Sequence, residues 1–119
     1  MKGFGDNKQL KTNNLSVGNI LVNNKFLDKA IEFQAKGQIL EASKYYKHLI
    51  NQGIKNAQVF SNYGTCLKEI GKFKEAESYY RKAIQINPKY AMAYSNLGAT
   101  LLDLGKLKDA KIFILKAIE

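Results

Sequence analysis

The chain is poor in the residues that staple, ligate or span. It has one cysteine, one histidine, one proline and no tryptophan among 119 residues. A single cysteine cannot close an internal disulfide, so a disulfide-stapled secreted scaffold is excluded and a reducing, cytoplasmic setting is predicted. A structural zinc site takes about four Cys or His ligands, more than one chain of this composition holds. The longest aliphatic or aromatic run is Ile112 to Leu115, far short of the roughly 20 residues that cross a bilayer, so no membrane association is predicted. Residues 1–14 carry three lysines but no apolar stretch of the kind a signal peptide needs. The near-absence of proline leaves long helices open to the chain.

Acidic residues are also scarce. Ten Asp and Glu stand against nineteen Lys and Arg, a net charge of +9. The excess is spread along the chain: +2 over residues 1–22, +3 over 23–56, +3 over 57–90 and +1 over 91–119. Scattered lysines read as a solvated exterior, and a nucleic-acid footprint would be clustered. The one candidate for base stacking is Tyr79-Tyr80-Arg81-Lys82, in which Tyr80 belongs to an apolar face and only Tyr79 is left free. Nucleic acid is therefore disfavoured as a partner.

What is present is repetition. Gly37, Gly71 and Gly105 are 34 residues apart, as are Ala42, Ala76 and Ala110, and Ile50, Ile84 and Ile118. Phe26, Phe60 and Tyr94 form an aromatic column, and Ala30, Gly64 and Gly98 a column of small residues. Tyr45, Tyr79 and Phe113 keep the same step, followed by Tyr46, Tyr80 and Ile114. Within the middle copy, Phe60, Tyr63, Leu67 and Ile70 fall three and four apart, one face of a helix. Gly71 then supplies a helix stop. A second apolar face runs through Ala76, Tyr79, Tyr80, Ala83 and Ile84, and Asn87-Pro88 ends it. Small residues at 64 and 76 mark a close crossing of the two helices.

A 34-residue helix–turn–helix unit with these columns resembles the tetratricopeptide repeat. The middle copy, 57–90, matches nearly every signature place, the copy at 91–119 is truncated, and that at 23–56 is degenerate. The resemblance implies an all-α chain, an α-α superhelix (solenoid) of about three units spanning 23–119 behind a disordered basic leader, 1–22. Lys- and Asn-rich repeats behind such a leader are similar to the N-terminal repeat segments of some bacterial, marine cyanobacterial-type proteins.

The resemblance further implies a concave groove lined by the first helix of each unit. Its predicted peptide-binding residues are Gln58, Asn62, Thr65, Lys68 and Glu69 from the middle unit and Met92, Asn96 and Asp103 from the last. Ser61, Ser95 and Ala99 share the register, as do Asn24, Leu27, Asp28 and Ile31 of the first unit. Asn62 and Asn96 form a two-rung ladder whose amides can both donate to and accept from a peptide backbone. The alternative role for each is a bond across its own helix pair. Chaperone-binding members are similar to one another in a clamp of cations and asparagines for a carboxylate. Here Leu27 and Ile31, Met92 and Asn96 occupy the clamp places and only Asn62 matches, so an acidic chaperone C-terminal tail is not the expected partner.

No catalytic constellation, cofactor or metal site is predicted. His48 lacks an adjacent nucleophile and orienter, Cys66 reads as a buried structural thiol, and Glu75 and Glu77 as solvated acids. The function expected is a non-catalytic protein–protein interaction module that binds an extended peptide or helix in the groove. The alternative is the N-terminal adaptor segment of a larger bacterial transferase, a sulfotransferase or glycosyltransferase. That alternative draws on the last helix, where Ile112 and Leu115 replace Ser78 and Arg81 of the preceding copy. Such a face calls for a partner, for self-association, or for further chain.

Overall fold

The computed structural model describes residues 23–119, and the leader predicted for 1–22 lies outside the described residues. Six helices follow one another: α1 (residues 23–35), α2 (Ile39–Asn51), α3 (Ala57–Ile70), α4 (Phe73–Ile86), α5 (Ala91–Asp103) and α6 (Leu107–Ile118). Among the described residues there is no strand. The helices form antiparallel pairs, α1/α2, α3/α4 and α5/α6. The α3/α4 and α5/α6 pairs pack more broadly than the junctions α2/α3 and α4/α5, and α3 also touches α5. The all-α repeat solenoid expected from the sequence is present.

The turn inside each pair is one device used three times. Gly71 adopts a left-handed φ of +94°, a conformation that costs a residue with a Cβ about 1–2 kcal/mol. It lets the Lys72 amide reach back to the Leu67 carbonyl at 2.8 Å, and the Gly71 amide to Lys68 at 3.0 Å. These two bonds satisfy carbonyls that a helix end leaves bare. Lys106 to Leu101 and Gln38 to Phe33 repeat the longer bond at 2.8 and 2.9 Å.

The links between pairs differ from one another. After α4, Asn87 is extended, Asn87 Oδ1 accepts from the Lys89 amide at 3.1 Å, and the Tyr94 hydroxyl donates to the Pro88 carbonyl at 2.7 Å. After α2 there is no proline. Gly53, at φ +84°, ends the helix instead, with the Ile54 amide bonded to the Leu49 carbonyl at 3.2 Å. Asn56 then caps α3 by accepting from the Val59 amide at 3.0 Å, a contribution of about 1 kcal/mol.

The core runs the length of the stack. Tyr46, Leu49, Val59, Cys66, Tyr80, Leu97 and Leu101 are essentially inaccessible. Ala42, Ala76 and Ala110 are fully buried. They stand on the second helices, as Gly64 and Gly98 do on the first, where each pair closes most tightly. A Cβ on Gly64 would lie 3.0 Å from the Tyr80 ring, and one on Gly98 would collide with Ile114 Cγ1. Ile70, placed by periodicity on the inner face of α3, is 39% exposed at its end.

Candidate concave binding face

Gln58, Asn62, Thr65 and Glu69 follow one another at steps of four, three and four, along one side of α3. The opposite side is the buried one, carrying Phe60, Tyr63, Gly64 and Leu67. Met92, Asn96 and Asp103 run likewise along α5. Because α3 touches α5, the two strips adjoin. Gln58, Glu69 and Asp103 are exposed, Asn62, Thr65, Lys68 and Asn96 are half-buried, and Met92 is 62% exposed. From the first unit, Asn24, Asp28 and Ile31 are exposed and Leu27 is half-buried. Ser95 is exposed and Ala99 half-buried.

Two of these expectations need correction. Ser61 is 2% exposed; it is packed in the interior and leaves the strip. Thr65 is tied inward, its hydroxyl 2.8 Å from that of Tyr80 and donating to the Ser61 carbonyl at 3.2 Å. Asn62 lies beside the phenol of Tyr46, on the second helix of the preceding pair. Burial pushes that phenol up to about 12, against an opposing pull from the Asn62 amide. The Tyr46 hydroxyl in turn donates to Gln34 Oε1 at 2.6 Å. Among the described residues neither the Asn62 nor the Asn96 side chain makes a hydrogen bond of ordinary geometry.

The strip is also the acidic part of a basic molecule. Asp28, Glu69 and Asp103 supply carboxylates, and Lys68 is the only cation in the predicted set.

Elsewhere the side chains singled out from sequence are structural. Cys66 is fully buried, and burial pushes its thiol up to about 12, the opposite of what a nucleophilic cysteine needs. His48 lies on α2 with its ring centroid 4.4 Å from that of Phe26. Tyr79 is not free to stack bases, because it meets Tyr63 edge-on at 4.8 Å and Lys82 Nζ covers its ring at 4.5 Å. Glu77 is not a solvated acid. It is mostly covered, and its carboxylate accepts from Arg81 Nε at 3.0 Å and from Lys106 Nζ, in the next pair, at 3.1 Å. Burial alone would raise its pKa, but the hydrogen bonds and charges of Lys106 and Arg81 outweigh it and hold the carboxyl below its ordinary range. Arg81 also lies over the Phe113 ring, 5.1 Å from its centroid. Sequence reading missed these clasps, since Glu77 and Lys106 are 29 residues apart. Among the described residues no group of three metal-ligating side chains occurs, and no helix is long and apolar enough to cross a membrane.

Comparison with known proteins agrees with this geometry. A family model described as TPR repeat matches residues 64–105. Over residues 64–105 the chain matches the tetratricopeptide repeat, and its described fold is that of the TPR domains it resembles. Among solved structures, the second TPR of Spaghetti (RPAP3), bound to the HSP90 peptide SRMEEVD, has a TM-score of 0.75 at 26% identity. The match covers 81% of this chain and 89% of that one. The Arabidopsis OM64 TPR domain has a TM-score of 0.80 at 24% identity, covering 84% and 83%. The TPR2B domain of yeast Sti1, in complex with pHsp70, has a TM-score of 0.76 at 22% identity, covering 80% and 76%. No curated protein matches the chain in sequence.

Proposed function

We propose that this repeat protein is a non-catalytic interaction module that binds an extended peptide or a helix across the concave strip of α3 and α5. The repeats run as 23–56, 57–90 and 91–119, and the contact set is Gln58, Asn62, Thr65, Lys68, Glu69, Met92, Asn96 and Asp103. Thr65 and Asn62 act mainly by shaping the floor. The observation that carries the reading is the strip itself: polar, accessible side chains along adjoining helices on a rigid stack, ending at an Asn96 amide with donor and acceptor both open. An amide of that kind pairs with peptide backbone whatever the side chains. Exposed Met92 adds an adaptable apolar contact.

Similar structures hold chaperone peptides, but the electrostatics here favour another ligand. SRMEEVD is acidic, whereas the strip presents two carboxylates, Glu69 and Asp103, to one lysine, Lys68. The peptide selected should be neutral or basic. The test takes a peptide selected from a display library against the full chain and titrates it by fluorescence anisotropy, beside labelled SRMEEVD. Asn96→Ala should weaken the selected peptide about tenfold, or about 1.4 kcal/mol, with the helical CD signal unchanged. Asn62→Ala should cost stability as well. Micromolar binding of SRMEEVD, or full binding by Asn96→Ala, would defeat the proposal.

A further inference from the structure

Successive helices run antiparallel, so the turns within pairs lie at one edge of the stack and the links between pairs at the other. Charge is divided between these two edges. Glu32 and Glu41 flank the turn at Gly37, Glu69, Glu75 and Glu77 the turn at Gly71, and Asp103 and Asp109 the turn at Gly105. Of the other described acids, Asp28 lies within α1 and Glu119 at the end of α6. Residues 42–68 and 78–102, which contain the two links, hold no acid at all.

Cations are not excluded from the link edge. Lys47 and Lys55 belong to the first link, and Lys82 and Lys89 to the second. Lys47 and Lys82 each precede the last residue of their helix by four places, about 6 Å along the axis. All four lysines are exposed. Every ion pair among the described residues uses Glu32, Glu41 or Glu77, and none reaches these four. Lysines that sequence order scatters are thus collected by the fold along one edge, without neutralising acids. That edge runs beside the interior of the stack and owes nothing to either end of it.

Both links are also held in shape. Asn56 Oδ1 accepts from the Val59 amide and Asn87 Oδ1 from the Lys89 amide, so the cations sit on an ordered backbone and binding costs less ordering. The surroundings favour a polypeptide over a nucleic acid. Exposed Asn51, Gln52, Gln85 and Asn87 stand beside the lysines, and such amides bond a peptide backbone. Rings for base stacking are taken: Phe60 and Tyr94 are buried, Tyr90 packs on the Phe60 cluster, and Lys82 covers Tyr79.

We propose that the link edge binds an acidic, extended segment of another protein. Its carboxylates meet Lys47, Lys55, Lys82 and Lys89, and its backbone meets the exposed amides. The concave strip, with Glu69 and Asp103, selects the opposite charge, so the two surfaces serve different ligands.

The probe is a labelled peptide of alternating glutamate and serine, about ten residues or about 33 Å when extended. Its control has glutamine for glutamate. Titrated into the full chain by fluorescence anisotropy at physiological salt, the acidic peptide should bind about tenfold more tightly than the control. Lys55→Gln with Lys89→Gln should erase most of that preference with the CD spectrum intact. Lys74→Gln with Lys108→Gln removes the same charge from the turn edge and should change affinity less than about twofold. Asn96→Ala should leave it unchanged. Equal losses in the two double variants would mean that net charge alone attracts the peptide, and would overturn the proposal. So would equal affinity for the control, a loss in Asn96→Ala, or tighter binding of a single-stranded DNA of the same length, for then the edge belongs to nucleic acid.

Discussion

The middle and last repeats share one architecture and differ in how well they are closed. In α3/α4 the phenol of Tyr80 is fully buried and meets the Thr65 hydroxyl. In α5/α6 the same column holds Ile114, half-buried, with nothing to bond. Ile84 is covered and Ile118 is bare. Turn geometry and helix crossing are common to both, so the difference lies in neighbours. A repeat buries its apolar face only against the next one, and the middle repeat has a described neighbour on each side.

That contrast can be broken by mutation. Tyr80→Ala should have the largest effect, about 3–5 kcal/mol, read as a lowered urea midpoint. Ile114→Ala, on a half-open helix, should cost less than half as much. Equal losses would mean that the two repeats are equally closed.

Second in size is the close crossing. Gly98→Ala drives a Cβ into Ile114 Cγ1, a stiff branched side chain, and should cost about 1–3 kcal/mol, as overpacking does. Gly64→Ala meets only the flat Tyr80 ring at 3.0 Å, and Ala30, the first-repeat counterpart, is an alanine already. Its cost should be the smaller of the two. If Gly64→Ala is the more damaging in thermal unfolding, the crossing has been misjudged.

The smallest effect tests the clasp between these repeats. Glu77 has its carboxyl held below the usual range in the folded chain, so its contribution is present above the ordinary carboxylate pKa. It is lost as pH falls through the folded value. Glu77→Gln should cost about 1 kcal/mol at neutral pH and nothing once the Glu77 carboxyl is protonated. Urea midpoints of the two should converge as pH falls below the ordinary carboxylate range and through the lowered folded value. A gap that persists or widens in acid would contradict the clasp.

Much of this was legible in the sequence because repetition amplifies it. One glycine stop is a weak signal, whereas three at a fixed step, with aromatic and small columns in register, define both helices of every unit. Gly64 and Ala76 were readable as a close crossing for the same reason. The functional face was less legible. The family resemblance places Ser61 and Thr65 on the open side of α3, but it cannot tell that Tyr80 reaches across to Thr65 or that Ser61 is packed in. The Glu77–Lys106 clasp joins non-equivalent positions of two units and leaves no periodic trace.

The most direct measurement is residue-resolved hydrogen exchange on the full chain. Amides of α3 and α4 should exchange only on global unfolding, and those of α6 should open at markedly lower free energy, since fewer apolar contacts hold them. Protection equal across α3 to α6 in the free chain would contradict the account, because it would mean that the outer face of the last repeat is already closed.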